Sequence, residues 1–341
     1  MRKLDVADYN PLKPIQPLAT EPGAVSFSAS HHFVTPAGTD IDSLSTAAEA
    51  PLSVILQVTK RCNFDCSFCS ETLQQPDPTL AQLAQIRENL TGVKRVFLSG
   101  GEPLIRRDFS EVVDMYAERF ILGVPTNATR GLQHARAMVG KVAFVNVGLE
   151  GPRATTSRVR GDYDQVMVGV RAFIDAGLPL SLSAVVYRST LHALPFTYQI
   201  ADVLNAGKLK LIMPLRKGNA LELQEHEFIG QGEAGQLFTR LADERAVHNW
   251  RPALRMTCWT PETEGHMILV EVTGLASAWP VYDKPDLLEP LGNVLEEPMS
   301  ELWKRYRFKR NHFAKYLGRS IRTVDAGATL AAPVTDGPAR A

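Results

Sequence analysis

From Pro51 onward the chain alternates short β-branched apolar runs with segments whose apolar residues recur at helical spacing, and no other feature constrains its fold more. Val54 to Val58 is a strand run; Leu80, Leu83, Ile86 and Leu90 then follow at helical spacing, and Arg95 to Leu98 reads as the next strand. Asp108 with Glu111 forms a capping-box pattern ahead of a helix, and Phe120 to Val124 is a third strand. Val142 to Leu149 is the fourth. Asp162 with Gln165 caps a helix whose Val166, Val170, Phe173 and Ile174 face inward, and Gly177 ends it. Leu178 to Val186 and Leu209 to Pro214 supply two more strands. Six strands alternating with helices predict an α/β fold with a parallel sheet, closed or partly closed into a barrel. In such barrels the active site sits on the loops after the carboxyl ends of the strands.

The first strand runs into Cys62-Asn63-Phe64-Asp65-Cys66-Ser67-Phe68-Cys69. The chain has 4 cysteines, three of them in this one stretch, so they form no disulfide framework but suit metal ligation in a reducing compartment. Thiolates are the usual protein ligands of iron-sulfur clusters, and this spacing lets one loop wrap three irons of a cubane. The fourth iron stays open to a small molecule. A structural zinc site is the competing reading, but it normally needs four protein ligands, and only Cys258 or a histidine is left to complete it.

Cys-x3-Cys-x2-Cys with an aromatic before the last cysteine resembles the signature of the radical S-adenosylmethionine (radical SAM) superfamily. That resemblance implies a partial (β/α)6 barrel, a [4Fe-4S] cluster on Cys62, Cys66 and Cys69, and S-adenosylmethionine as the second cofactor, with Phe68 against its adenine. Ser99-Gly100-Gly101-Glu102-Pro103 at the end of the second strand resembles the family motif for the methionine amino group. Glycines suit close backbone approach, and Glu102 can accept from an ammonium. Thr126-Asn127 closes the third strand and resembles the ribose position. Val147-Gly148-Leu149-Glu150-Gly151 closes the fourth, where the family often has Ser-x-Asp-Gly, so Gly148 and Glu150 depart from it; Glu150 is still expected at the ribose hydroxyls. Arg160 matches an arginine that grips the methionine carboxylate, a task for a planar fork of donors.

The resemblance covers about Pro51 to Gly218. The expected organisation is a lead or cap over 1–50, the barrel over 51–250, an α+β extension over 251–318 and a disordered tail over 319–341. The turn at Gly274, the segment Leu291-Gly292-Asn293-Val294, and Met299 with Trp303 resemble the twitch or SPASM extensions of the family. Those usually bind auxiliary clusters; here Cys258 alone remains, too few for a second cubane. Met299, Leu302, Trp303 and Tyr306 form a helical stripe after Pro298. Lys304 to Arg322 holds eight basic and no acidic residues, read as a solvated helix face or an anion contact.

With 37 basic and 37 acidic residues cancelling, no global field recruits nucleic acid or a membrane, and the amino terminus lacks the apolar core of a secretory signal, so a cytoplasmic enzyme is expected. The implied reaction is reductive cleavage of S-adenosylmethionine to a 5'-deoxyadenosyl radical that abstracts hydrogen from a substrate, fed by a flavodoxin or ferredoxin. The substrate expected is a small polar metabolite of the sugar or nucleoside type; a peptide is the alternative, and a non-catalytic scaffold a further one. Cys258 is read either as a core thiol or as a hydrogen-atom donor, the latter requiring that it face the barrel mouth.

Overall fold

The computed structural model describes residues 26–27, 33–34, 40–71, 75–258, 263–280 and 290–317. A small antiparallel pair, β1 (Ser26–Phe27) with β2 (Phe33–Val34), precedes helix α1 (Ile41–Ala47). The strands β3 (Ser53–Thr59), β4 (Arg95–Gly100), β5 (Ile121–Thr126), β6 (Val142–Gly148), β7 (Leu180–Val185), β8 (Lys208–Ile212) and β9 (Ala253–Thr257) follow, each from β4 on parallel to the one before. Between them run α2 (Leu80–Asn89), α3 (Phe109–Ala117), α4 (Gly131–Met138), α5 (Arg153–Val159), α6 (Tyr163–Asp175), α7 (Leu194–Val203) and α8 (Gln231–His248). The chain closes with β10 (Met267–Val270), β11 (Leu275–Trp279), β12 (Gly292–Asn293), α9 (Met299–Lys304) and α10 (Lys309–Leu317). One ten-stranded sheet has the order β12-β11-β10-β3-β4-β5-β6-β7-β8-β9, an open α/β barrel wall as the alternation predicts.

Alternation within each strand decides the two faces. On β3 and β4, Val54, Leu56, Val58, Val96 and Leu98 are fully buried under the helices and meet the stripes of α2 (Leu83, Ile86) and α3 (Phe109, Val112, Val113, Tyr116) in one core. The opposite parity lines the barrel interior. Burying this set of aliphatic and aromatic side chains, about 1.5–3 kcal/mol each, is the main source of stability.

The cap behaves as read at α6, where Asp162 accepts from the amides of Asp164 and Gln165, and α2 carries a capping box that went unread, Thr79 and Gln82 bonding reciprocally. Asp108 is different. It stands at the N-cap of α3, yet its carboxylate makes no cap bond, because the Arg106 guanidinium takes both oxygens at 2.9 and 2.7 Å. A charged, forked donor outcompetes a single backbone amide.

The region after residue 250 is continuous with the sheet at both edges. β9 extends it beyond β8, and β10 pairs in parallel with β3 while β11 folds back antiparallel at Gly274 (φ +83°). An exposed β3 edge is thereby covered. The stripe Met299, Leu302, Trp303 and Tyr306 is buried, and the Trp303 indole donates to the Ala48 carbonyl at 2.8 Å. Within the stretch read as an extended lead, α1 is helical, because Asp40 accepts from the Ser43 amide; Arg310 of α10 pairs with Asp42 at 2.9 Å. Lys304 and Arg305 likewise pair with Glu301 and Glu297, the solvated-face reading of that basic stretch. The tail expected over 319–341 lies outside the described residues. Among the described residues no helix is long and apolar enough to cross a membrane.

Candidate active site

The cysteine loop leaves the carboxyl end of β3 and is held by three other strand ends. Cys62 is exposed, Cys66 buried and Cys69 half-buried, and all are free thiols. From the β5 loop, Asn127 Nδ2 donates to Asn63 Oδ1 at 3.0 Å. From the end of α5, the Val159 carbonyl accepts from the Ser67 amide at 3.2 Å, and the Arg160 carbonyl accepts from the Cys66 thiol at 3.8 Å. From the loop after β8, the Asn219 amide donates to the Cys69 carbonyl at 2.8 Å, while its Nδ2 donates to the Cys66 carbonyl and to Asp65 at 3.0 and 2.7 Å. The loop's shape is therefore set before any ligand binds.

Gly100 and Gly101 serve the same end. A Cβ at Gly100, whose φ is +145°, would fall on the Thr59 carbonyl, and one at Gly101 on the Arg61 carbonyl. The two amides that follow use this closeness, Gly101 donating to Thr59 and Glu102 to Arg61, each at 2.9 Å. The two glycines thus let β4 close onto the base of the cysteine loop. Glu102 is buried and accepts from the Thr126 hydroxyl at 2.6 Å and from the amides of Asn127 and Leu104 at 2.5 and 3.0 Å. Burial pushes its carboxyl up to about 7, against those three donors. Of its roughly four acceptor positions one is left for an incoming donor.

Glu150 and Arg160 form one unit. The guanidinium donates Nε and Nη2 to the two Glu150 oxygens, both at 2.7 Å, and Glu150 is fully buried. Gly148 explains why: a Cβ there would fall on the Arg160 guanidinium. The two departures from Ser-x-Asp-Gly are therefore coupled, glycine making the space that the arginine fills and glutamate supplying the reach to hold it. The guanidinium lies 5.0 Å from the Phe68 ring centroid, and Phe68 meets Tyr187 at 6.1 Å.

Electrostatics and donor chemistry fit an iron-sulfur cluster. Burial pushes the Cys66 thiol up to about 12 and raises Cys62 and Cys69, so naked thiolates are disfavoured until cationic iron supplies the charge. Among the described residues no three His, Cys, Asp or Glu side chains converge as ligands of a single metal ion do; thiolates that each take a separate corner of a cubane need not converge. Gln57, on the interior face just before the loop, keeps a buried Oε1 without a donor. Cys62, Cys66 and Cys69 would hold the cluster, with Glu102, Asn127, Glu150, Arg160 and Phe68 around it for S-adenosylmethionine.

Cys258 stands apart. It directly follows β9, is buried and packs in the hydrophobic core, the surroundings of a core thiol. Asn63, Tyr187 and Asn219 went unread in the sequence. Asn63 carried a weak signal, since it lies between ligands; Asn219 sits 150 residues beyond Cys69 and carried none.

The family model described as the radical SAM superfamily matches residues 56–197. The PqqA peptide cyclase of Rhodopseudomonas palustris is 32% identical over 183 residues, covering 47% of this chain and 46% of that protein. A probable GTP 3',8-cyclase of Halobacterium salinarum is 30% identical over 176 residues, covering 47% of this chain and 49% of that one. The chain thus spans about half the length of each of these relatives. Among solved structures, native anSMEcpe with bound AdoMet and Cp18Cys peptide superposes with a TM-score of 0.61 at 18% identity, over 77% of this chain and 82% of that one. At that identity the likeness is one of fold.

Proposed function

We propose, from the premise that this chain is a member of the radical SAM superfamily and an enzyme, that it takes a hydrogen atom from a substrate drawn into the barrel. The observation that carries the reading is the meeting, at the carboxyl ends of β3 to β6, of the cysteine loop, the Glu102 clamp and the Glu150–Arg160 pair. When bound, the cluster and S-adenosylmethionine supply a one-electron cleavage that yields a 5'-deoxyadenosyl radical. The chain's own residues position and enclose. Cys62, Cys66 and Cys69 would hold the cluster as thiolates, Glu102 would offer its remaining acceptor position to the ammonium of the second cofactor, and Phe68 and Tyr187 would offer rings to its adenine. Arg160 spends two donors on Glu150 and keeps Nη1 for a carboxylate.

For the substrate, a peptide stands at least level with a small polar metabolite, which corrects the order expected from an extension without cysteines for auxiliary clusters. Support for the peptide comes from the peptide cyclase relative and from the peptide in the anSMEcpe structure; support for a metabolite comes from the GTP cyclase relative. A flavodoxin or ferredoxin is the proposed electron source. The test is anaerobic reconstitution, dithionite reduction and chromatography for 5'-deoxyadenosine. Release is expected from the unaltered protein and not from the variant with Cys62, Cys66 and Cys69 replaced by Ala; no release from the unaltered protein would sink the reading.

A further inference from the structure

The inner wall of the barrel carries a buried acceptor to which the proposed radical chemistry gives no part. On β3, Leu56 and Val58 are fully buried beneath the helices, so alternation turns Gln57, between them, to the interior. Gln57 is 2% exposed, and among the described residues no donor reaches its Oε1. The other end of the amide is fixed. Nε2 donates to one oxygen of Glu71 at 3.0 Å, and Lys217, from the loop after β8, donates Nζ to the other oxygen at 3.0 Å. Turning the amide over would set its carbonyl oxygen against the Glu71 carboxylate, so the free end is an acceptor.

Two further observations place this acceptor in a ligand site. The first is its position under the cysteine loop. Gln57 stands two residues before the end of β3, roughly 7 Å below the rim at the usual strand rise, and the Glu71 amide donates to the Cys69 sulfur at 3.4 Å. The second is the polarity of the wall around it. Ser99 of β4 stands opposite Gln57 in register. Asn146 of β6 and Ser183 of β7 are turned inward by fully buried neighbours, Val145 and Val147, Leu182 and Ala184, and Asn146 Nδ2 donates to Ser183 Oγ at 2.9 Å. Barrel interiors are ordinarily filled with branched aliphatic side chains, and an unpaired buried carbonyl is a cost to folding. A wall of neutral hydrogen-bonding groups gives up that packing, a loss recovered when a polar ligand binds. Lys217 is the movable part of the enclosure: its side chain is 35% exposed, and its ammonium lies 5.2 Å from the Trp279 ring centroid at the end of a flexible stem.

We propose that Gln57 is a substrate-recognition residue, whose Oε1 accepts a hydrogen bond from an N–H or O–H of a substrate that enters past the Lys217 side chain. The group recognised is one that carries a hydrogen to donate, an amide or a hydroxyl; an ionised carboxylate has none. The assignment rests on the reading above that the barrel interior receives the substrate. A backbone amide of a peptide and a hydroxyl of a sugar present the same chemistry, and the two sources are separable by experiment.

The experiment is calorimetric titration and thermal denaturation of the reconstituted full chain, saturated with S-adenosylmethionine, with two neutral probes: a capped tetrapeptide of glycine and alanine, and methyl ribofuranoside. Expected is saturable binding of at least one probe, weakened about tenfold or more in the Gln57→Met variant, with S-adenosylmethionine affinity unchanged. The fully methylated form of that probe, stripped of its donors, should not bind. Without probe the variant should melt within about 2 °C of the unaltered protein, because the bond lost to Glu71 is offset by removal of the unpaired carbonyl. Binding of the peptide alone supports the inference and assigns the amide source; binding of the riboside alone supports it and assigns the hydroxyl. No binding of either probe, equal binding in the variant, or undiminished binding of the methylated form overturns it. So does a tenfold loss of S-adenosylmethionine affinity, which makes Gln57 a cofactor ligand, or a larger fall in melting temperature, which makes it structural. Failure of the unaltered protein to release 5'-deoxyadenosine is a separate result: it removes the radical reading and leaves the probe titration standing.

Discussion

Gly148→Ala tests the coupling between Gly148, Glu150 and Arg160 most directly. The added methyl would overlap the Arg160 guanidinium, which is fixed by two 2.7 Å bonds to Glu150 and by the Phe68 ring and cannot simply swing away. Displacing it leaves the fully buried Glu150 carboxylate with one long bond from the Val185 amide at 3.3 Å. Separating a buried pair costs about 3–5 kcal/mol. At about 2.1 cal/mol/K of unfolding entropy per residue, 341 residues give about 0.7 kcal/mol/K, so a loss of about 3 kcal/mol lowers the melting temperature by about 4 °C. The measurement is thermal denaturation of the cluster-free protein as a mutant cycle, with Gly148→Ala placed both in the unaltered chain and in a Glu150→Gln/Arg160→Met background. There the ion pair is gone and the flexible methionine yields to the methyl, so the substitution should cost close to nothing and the coupling should equal nearly its whole effect. An equal loss in both backgrounds would show that the methyl harms the strand itself, and the coupling argument would fail.

Three further outcomes follow from the site. Iron and sulfide analysis after reconstitution should find about four of each per chain, and chelation followed by regain of absorbance only with intact Cys62, Cys66 and Cys69 checks the assignment; a count near eight would demand ligands outside the triplet. Glu102→Gln turns an amide NH2 against the donors of one carboxylate oxygen, either the Asn127 amide or the Thr126 hydroxyl with the Leu104 amide, so it should lower stability by about 1–3 kcal/mol and weaken S-adenosylmethionine binding at least tenfold by calorimetry; unchanged affinity would confine Glu102 to the loop clamp. Cys258→Ser buries a hydroxyl among apolar groups and should cost about 1–3 kcal/mol in denaturant unfolding while solvent deuterium incorporation into product stays unchanged; loss of that deuterium would restore the thiol as a donor.

What the chain declares by itself is local. Strand alternation, the Asp162 cap of α6 and the cysteine spacing each lie within one element or one loop, so short-range sterics and ligand reach decide them and residue order exposes them. Glu102 and Arg160 were legible as positions on successive strand ends, because a parallel alternating sheet brings all such ends to one rim. Their partners were not. That Glu102 closes on Thr126 and Asn127, that Gly148 is vacant so Arg160 can enter, and that Asp108 answers Arg106 rather than its own helix all depend on which charged group arrives first at a shared space. The same holds for the interior of the barrel. Alternation along β8 tells that Lys208 and Lys210 share a face, but only sheet order and curvature bring that face to Phe144 two strands away and set Arg255 beside it. Contacts between residues distant in sequence are settled by the closing of the sheet, a cooperative event to which every strand contributes and which no single segment encodes.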